Sequence, residues 1–379
     1  MNDQRLRVKV GLALAVLVAA VLFVWTRQPP HASLSGSPTP GASSSADASG
    51  GESPSSTLGA SSPLPTSSTT GGGSGTPRPG ASLTPPTATA VPTPVRTPVP
   101  TTPPPLPGSQ PPLPVRAAFY YPWFPESWKQ QGMDPFTKYH PSLGFYDSSA
   151  PATIRQHIQA MQYGGIQVGI SSWWGVGTRT DTRLPAILAN TAGNSFRWSI
   201  YYEQESLGDP PVSQLASDLQ YIRDHYAADP SFFKVAGRFV VFVYTDGADA
   251  CAMATRWSEA NAGIYAYLVL KVFSGYRTCP AQPAGWHQYS AASAADSQAG
   301  FDYSISPGFD KANEASPRLA RDATRWAQNV RDMVASGAPF QLITTFNEWG
   351  EGTSIESASE WASASGYGTY LDILHANGQ

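Results

Sequence analysis

The sequence predicts a (β/α)8 TIM barrel over residues 115–379, preceded by an N-terminal membrane anchor and a disordered Ser/Thr/Pro/Gly-rich linker. Three observations predict it. Eight strand-like runs recur beyond residue 115, several almost continuously apolar, as parallel strands covered on both faces must be. Helical stripes fall between them, and alternation in this number favours a barrel over an open doubly wound sheet. The length of this part matches the usual size of one such barrel, about 250 residues.

Taken in chain order, residues 1–27 come first. Arg5, Arg7 and Lys9 precede an apolar run from Gly11 to Trp25, closed by Arg27. The basic residues on that side predict a cytoplasmic N-terminus, a single pass through the cell membrane and an extracellular remainder. With Val8 and Val10 the run nears the lower limit of a membrane span. A cleaved signal peptide has a similar layout and would give a secreted protein. No small-x-small cleavage site directly follows the run, so an uncleaved anchor is favoured.

Residues 28–114 are Ser, Thr, Pro, Gly and Ala almost throughout, and their charges are Asp47, Glu52, Arg78 and Arg96. Such a chain has too little apolar surface to offset its ordering entropy, so disorder is expected, stiffened toward polyproline II where proline is dense. Its expected role is reach, and its composition permits O-glycosylation.

The strand-like runs lie at 116–123, 166–174, 196–203, 238–246, 265–275, 286–291 (the weakest), 301–308 and 340–349. Ile154, Ile158 and Met161 mark a helix with Ser149 as its N-cap. Val212, Leu215, Leu219, Ile222 and Tyr226 mark a second. Leu319, Ala323, Trp326, Val330 and Met333 mark a third, ending near Gly337. These stripes read as packing surfaces. No Gly-rich phosphate-binding motif is present, which argues against a nucleotide site. Charged residues make up 13% of the chain, the net charge is −3, and no basic tract follows residue 115, so nucleic acid is not an expected partner. Cys251 and Cys279 read as an extracellular disulfide or as two buried thiols, with a slight preference for the first.

Barrel active sites are built at the C-terminal ends of the strands. Those ends carry Tyr120, Tyr121 and Trp123, then Trp173 and Trp174, then Tyr202, Glu203 and Glu205, then Tyr244 and Asp246, and finally Asn347, Glu348, Trp349 and Glu351. Carboxylates and aromatic faces repeating at one pole suit the cleavage of a glycosidic bond. One acid protonates the departing oxygen, a second carboxylate answers the positive charge building on the sugar, and rings stack on the sugar faces. Glu348 and Glu351 are the candidate pair, three apart across a turn. Trp173 and Tyr121 are the foremost candidate binding aromatics. Adjacent strand residues face opposite ways, so one of each pair Tyr120/Tyr121 and Trp173/Trp174 is expected to face the wall instead. As an acid, Glu351 needs a raised pKa, while Glu348 needs to stay ionised, with Asn347 and a tyrosine as sources of hydrogen bonds.

The blocks "FYYPWF…KYHPSLGFYDSSAPATIRQHI", "GISSWWGVGTRTD" and "FNEWGEGTSIE" resemble the endo-α-mannosidase family, glycoside hydrolase family 99. That resemblance implies a (β/α)8 barrel and retaining hydrolysis of α-mannosidic linkages without a metal or other cofactor. It implies that Glu348 acts as base on the substrate's own 2-hydroxyl, giving a 1,2-anhydro sugar, and that Glu351 acts as acid and then base. It adds His140 and Glu203 to the substrate-binding set. The chain departs from the family at Gly350, where histidine is common, and at Tyr201 to Gln204, where the family has His-Ile-Glu-Pro. The related WbsX-like proteins of polysaccharide biosynthesis share the small residue at Gly350. The expected partner is therefore a polysaccharide or glycan, and the expected state a monomer. A polysaccharide-biosynthesis relative and a non-catalytic glycan-binding module are the alternatives.

Overall fold

The computed structural model describes residues 109–246 and 249–378. The expected anchor, and the linker as far as residue 108, lie outside the described residues. Among the described residues, no helix is long and apolar enough to cross a membrane.

Among the described residues, ten strands and six α-helices follow one another. They are β1 (Val115–Tyr120), α1 (Pro151–Tyr163), β2 (Val168–Trp173), α2 (Arg179–Ala189), β3 (Arg197–Tyr202), α3 (Val212–His225), β4 (Lys234–Val235), β5 (Arg238–Val243), α4 (Cys251–Ala260), β6 (Tyr267–Lys271), β7 (Gly285–His287), β8 (Ala295–Gln298), β9 (Asp302–Ile305), α5 (Ala323–Ala335), β10 (Phe340–Ile343) and α6 (Thr369–Asn377). The sheet runs β7-β6-β5-β3-β2-β1-β10-β9-β8. Every neighbouring pair from β7 to β9 is parallel, and these eight strands fall within or close to the eight runs expected from the sequence. The fold is thus barrel-like, but its seam is not a strand pair. β8 folds back antiparallel on β9, and near the seam the Gln288 backbone N–H donates to Asp302 Oδ2 at 3.2 Å.

The regular (β/α)8 pattern fails on the same side. Between β6 and β7 only a 3-10 turn, Tyr276–Thr278, takes the place of a helix. Pro280 and Pro283 break that connection. Between β7 and β9 lies β8, in a run of alanine and serine with no apolar stripe. The first expected helix starts later than Ser149: Ala150 is its N-cap and Pro151 its first residue. Ser149 instead bonds Asp147. Leu319 precedes α5 and bridges Phe309, while Asp322 caps the helix by accepting from the Thr324 and Arg325 N–H groups.

The folded part also extends ahead of Val115. Gln110 donates to the Phe232 carbonyl at 3.0 Å and accepts from the Lys234 N–H at 2.9 Å, and Arg197 donates to the Ser109 carbonyl at 2.6 Å. Residues 109–114 therefore belong with the barrel rather than the linker.

Strand alternation divides the core into two layers. Val115, Ala117, Phe119 and Tyr121 join Val168, Ile170, Val240, Phe242 and Leu342 inside the barrel. Ala118, Tyr120, Trp173, Trp198 and Tyr202 join the helices in the outer layer. Gly169 is required here, because a Cβ on it would lie 2.2 Å from the Trp198 ring. Cys251, at the start of α4, is bonded to Cys279, with Cα atoms 5.2 Å apart.

Candidate active site

The inward register of each strand, carried past its last paired residue, decides which side chain enters the mouth of the barrel. From β1 it delivers Tyr121 and Trp123. From β2 it runs through Val168, Ile170 and Ser172 to Trp174. From β3 it runs through Ser199 and Tyr201 to Glu203, and from β5 through Phe242 to Tyr244. Tyr121, Trp123, Trp174, Tyr201, Glu203 and Tyr244 line one open pocket of about 570 Å³ together with Tyr289, Phe309, Lys311, Arg318, Glu348 and Glu351.

The segment after β10 is a tight loop, not a strand. The Glu348 N–H donates to Thr345 Oγ1 at 2.9 Å, and the Glu348 carbonyl accepts from the Thr353 N–H at 3.2 Å. Gly352 has φ +65°, and a Cβ there would meet the Asp310 carbonyl oxygen at 2.5 Å. This close approach lets the Gly350 and Glu351 carbonyls accept from the Ala312 and Asp310 N–H groups, each at 2.9 Å. Lys311 lies between those two donors and is carried to the pocket by them. The loop thus turns both glutamates into the same cavity.

Three carboxyl groups share this space. Burial pushes Glu203 up to about 8, against a hydrogen bond from Ser172 and with help from the charge of Glu351. Burial pushes Glu351 up to about 7, opposed by the charges of Lys311 and Arg318. Glu348 is also raised well above 4.5, by burial and then by Glu351 and Glu203, with Lys311 opposing. Burial thus favours the protonated form of all three carboxyls, against the expectation that Glu348 stays ionised. Asn347 explains part of this. Its amide is committed to the Tyr121 backbone and to the Tyr146 hydroxyl, so its hydrogen bonds serve the frame of the pocket. Burial lowers Lys311. Arg318 pairs with Glu314 at 2.9 Å and lies over the Phe309 ring at 5.0 Å. The Tyr121 and Tyr289 hydroxyls bond each other at 2.8 Å.

Of the expected binding residues, the structure brings Tyr121, Trp123, Trp174, Glu203 and Tyr244 to the pocket beside Glu348 and Glu351. It corrects the others. Trp173 points outward and donates its indole N–H to Asp181 at 2.8 Å. Tyr120 points outward to His157, and Tyr202 to Asp218 and the Trp257 ring. Trp349 is fully buried beneath the loop, stacked on Trp361. His140 is exposed and pairs with Glu360 at 2.7 Å. Asn347 does not line the cavity. Sequence reasoning did not pick Tyr201, Tyr289, Phe309, Lys311 or Arg318. Tyr201 was open to discovery, two residues before Glu203 on the same strand. The other four sit on irregular segments after β7 and β9, where no period marks an inward position. Glu205, Asp209 and Asp249 lie close enough together to hold a cation, but Arg256 pairs with the first two and the group is not part of the pocket lining.

Residues 120–260 match the model of glycosyl hydrolase family 99. The chain is 24% identical over 280 residues to a glycoprotein endo-alpha-1,2-mannosidase of Xenopus laevis, covering 59% of each. It is 22% identical over 283 residues to that of Mus musculus, covering 62% of this chain and 60% of the relative. The chain thus spans about three fifths of the length of these relatives. Among solved structures, the GH99 endo-alpha-mannosidase of Bacteroides thetaiotaomicron in complex with bis-tris-propane superposes with a TM-score of 0.57 at 22% identity. That match covers 69% of this chain and 94% of the other. A glycoside hydrolase-like protein superposes at 0.53 and 15% identity, covering 75% and 98%. The chain therefore resembles glycosyl hydrolase family 99 in sequence over residues 120–260, and its fold is that of the family's solved members.

Proposed function

We propose that this chain is a retaining, endo-acting glycoside hydrolase of α-linked, mannan-like glycans, with Glu348 and Glu351 as its catalytic pair. The observation that carries the reading is the pair itself: two buried carboxyls, three residues apart, turned into one aromatic-walled pocket at the C-terminal pole of a barrel. A pocket that only bound sugars would not need to hold two proton-bearing groups at the cost of burying them.

In this reading Glu351, with a pKa near neutrality, protonates the glycosidic oxygen as the C1–O bond breaks. Glu348 takes the proton of the sugar's 2-hydroxyl, and that oxygen closes on C1 to give a 1,2-anhydro sugar. Water then opens the ring at C1, losing its proton to Glu351 while Glu348 returns one to O2. The scheme needs Glu348 ionised in the complex. Its raised pKa makes it a strong base once ionised, and it moves the onset of activity upward in pH. Trp123, Trp174, Tyr121 and Tyr244 supply sugar-stacking faces. Residues 1–108 would tether the barrel outside the cell, single-pass through the apolar run, and the working state would be a monomer.

The test is product analysis on α-mannans and other wall polysaccharides with wild type, Glu348→Gln and Glu351→Gln. Both variants are expected to lose turnover by orders of magnitude while folded. A substrate with an activated leaving group should partly restore the first step in Glu351→Gln and not in Glu348→Gln. Near-normal turnover in both variants would sink the reading. Binding without turnover in the wild type would favour a glycan-binding module.

A further inference from the structure

Behind the catalytic loop lies a buried polar cluster that does not line the pocket. Its centre is the Tyr146 hydroxyl. It donates to Glu356 Oε2 at 2.7 Å and accepts from Asn347 Nδ2 at 3.3 Å and Trp349 Nε1 at 3.1 Å. One hydroxyl has a single proton to give and two lone pairs to fill, so all its capacity is used. Its two donors are the residues on either side of Glu348. Asn347 in turn holds the backbone of Tyr121, accepting from its N–H at 2.7 Å and donating to its carbonyl at 3.1 Å.

Glu356 sets the direction of these bonds. A carboxylate only accepts, so the Tyr146 proton points to it and the phenolic oxygen is left for the loop. His157 Nε2 lies 3.2 Å from the other oxygen of Glu356, and its Nδ1 is 3.1 Å from the Tyr120 hydroxyl. All four side chains are buried, with Tyr146 at 7%, Glu356 at 3%, His157 at 1% and Tyr120 at 0% exposure. An ionisable group so placed is costly unless its position is worth that cost.

We propose that Tyr146 and Glu356 are positioning residues that clamp Asn347 and Trp349 and so fix the Glu348 carboxylate between them. The role rests on the hydrolase reading above. Neither residue touches the pocket. Each acts through the loop, where a displacement of about 1 Å is enough to cost up to 100-fold in rate.

The experiment uses the full chain with its tryptophan indoles labelled with 15N, the Trp349 signal being assigned from Trp349→Phe. In Tyr146→Phe the Trp349 indole proton loses its acceptor, so its resonance should move upfield and exchange faster. With the mannan the wild type cleaves, kcat should fall about tenfold or more while KM stays within about twofold. Glu356→Gln keeps an acceptor for Tyr146 and should retain most of kcat; Glu356→Leu should reproduce the Tyr146→Phe loss. Leu219→Val, in the same outer core on α3, serves as the stability control and should keep both kcat and the indole signal. An unchanged Trp349 signal in Tyr146→Phe, or an equal loss of kcat in the control, overturns the proposal. If the wild type cleaves none of the mannans offered, the hydrolase reading fails, and the indole signal alone decides the clamp.

Discussion

Glu203 offers the sharpest physical test, because it needs no substrate. The residue is 7% exposed, and burial lifts its pKa from 4.5 to about 8 in the folded chain. An acid raised in this way is protonated when folded at a pH where the unfolded chain has already released the proton. Its stabilising contribution is complete below 4.5 and is lost as the pH rises from there to about 8. At about 1.4 kcal/mol per unit, the loss is about 3 kcal/mol by pH 7 and approaches about 5 kcal/mol at the top of the window. Glu203→Gln keeps the shape of the protonated acid and cannot ionise. Urea unfolding of both proteins at pH 5, 6, 7 and 8 should therefore show a growing advantage for the variant, starting near zero. Every other titrating group is common to both and largely cancels. The exception is Glu348, which the charge of Glu203 helps to raise. Losing that repulsion should lower Glu348 and pull the acidic limb of activity downward. A stability difference independent of pH would refute the reasoning and show that Glu203 is ionised and paired throughout.

Trp173→Ala should destabilise by about 3–5 kcal/mol, read by urea unfolding, because the ring is buried against α2. Trp174→Ala should raise KM with little loss of stability, since that ring lines the pocket. Replacing Cys251 and Cys279 by serine opens a crosslink between residues 28 apart and should cost about 3–4 kcal/mol by chain entropy, read as a lowered urea midpoint. The acidic limb of kcat/KM should lie well above 4.5, because Glu348 is raised by burial and by its carboxyl neighbours; a limb at the ordinary glutamate value would show an ionised Glu348 in the free enzyme.

The barrel was legible where two periods were clean. β1, β2, β3 and β5 read as strands because branched and aromatic residues fill both faces, and α1, α3 and α5 because apolar residues recur each turn. What was not legible is the stretch from Gly275 to Gly300. Its prolines, alanines and serines carry no period, and its course is set by partners far away in the chain. Arg277 reaches the Ala299 carbonyl, Tyr276 reaches Gln298, and Cys279 is tied to Cys251. The weak run at 286–291 is a three-residue strand there, and the antiparallel β8 beside it was not foreseen. Similarly, Gln110 reads as the end of a featureless linker until the backbone of β4 is present to pair with it.

The site was legible to the resolution of one residue and no finer. The composition of the strand ends located the pole, but aromatic doublets such as Tyr120-Tyr121, Trp173-Trp174 and Tyr201-Tyr202 leave open which member faces inward. The last paired residues settle it: Ile170 and Ser172 face in, so Trp174 does, and Trp173 goes to Asp181. The same rule selects Glu203 over Tyr202 and places Tyr201 in the pocket floor. Beyond the strands the rule lapses. Glu348 and Glu351 share a cavity because Gly352 lets the loop lie against Asp310, and that contact also brings Lys311 to them. The cation that opposes the proton on both glutamates is therefore supplied by the same backbone pairing that shapes their turn. Part of the acid strength at this site, beyond what burial sets, thus shares a structural cause with its geometry, which no spacing of residues in the sequence could express.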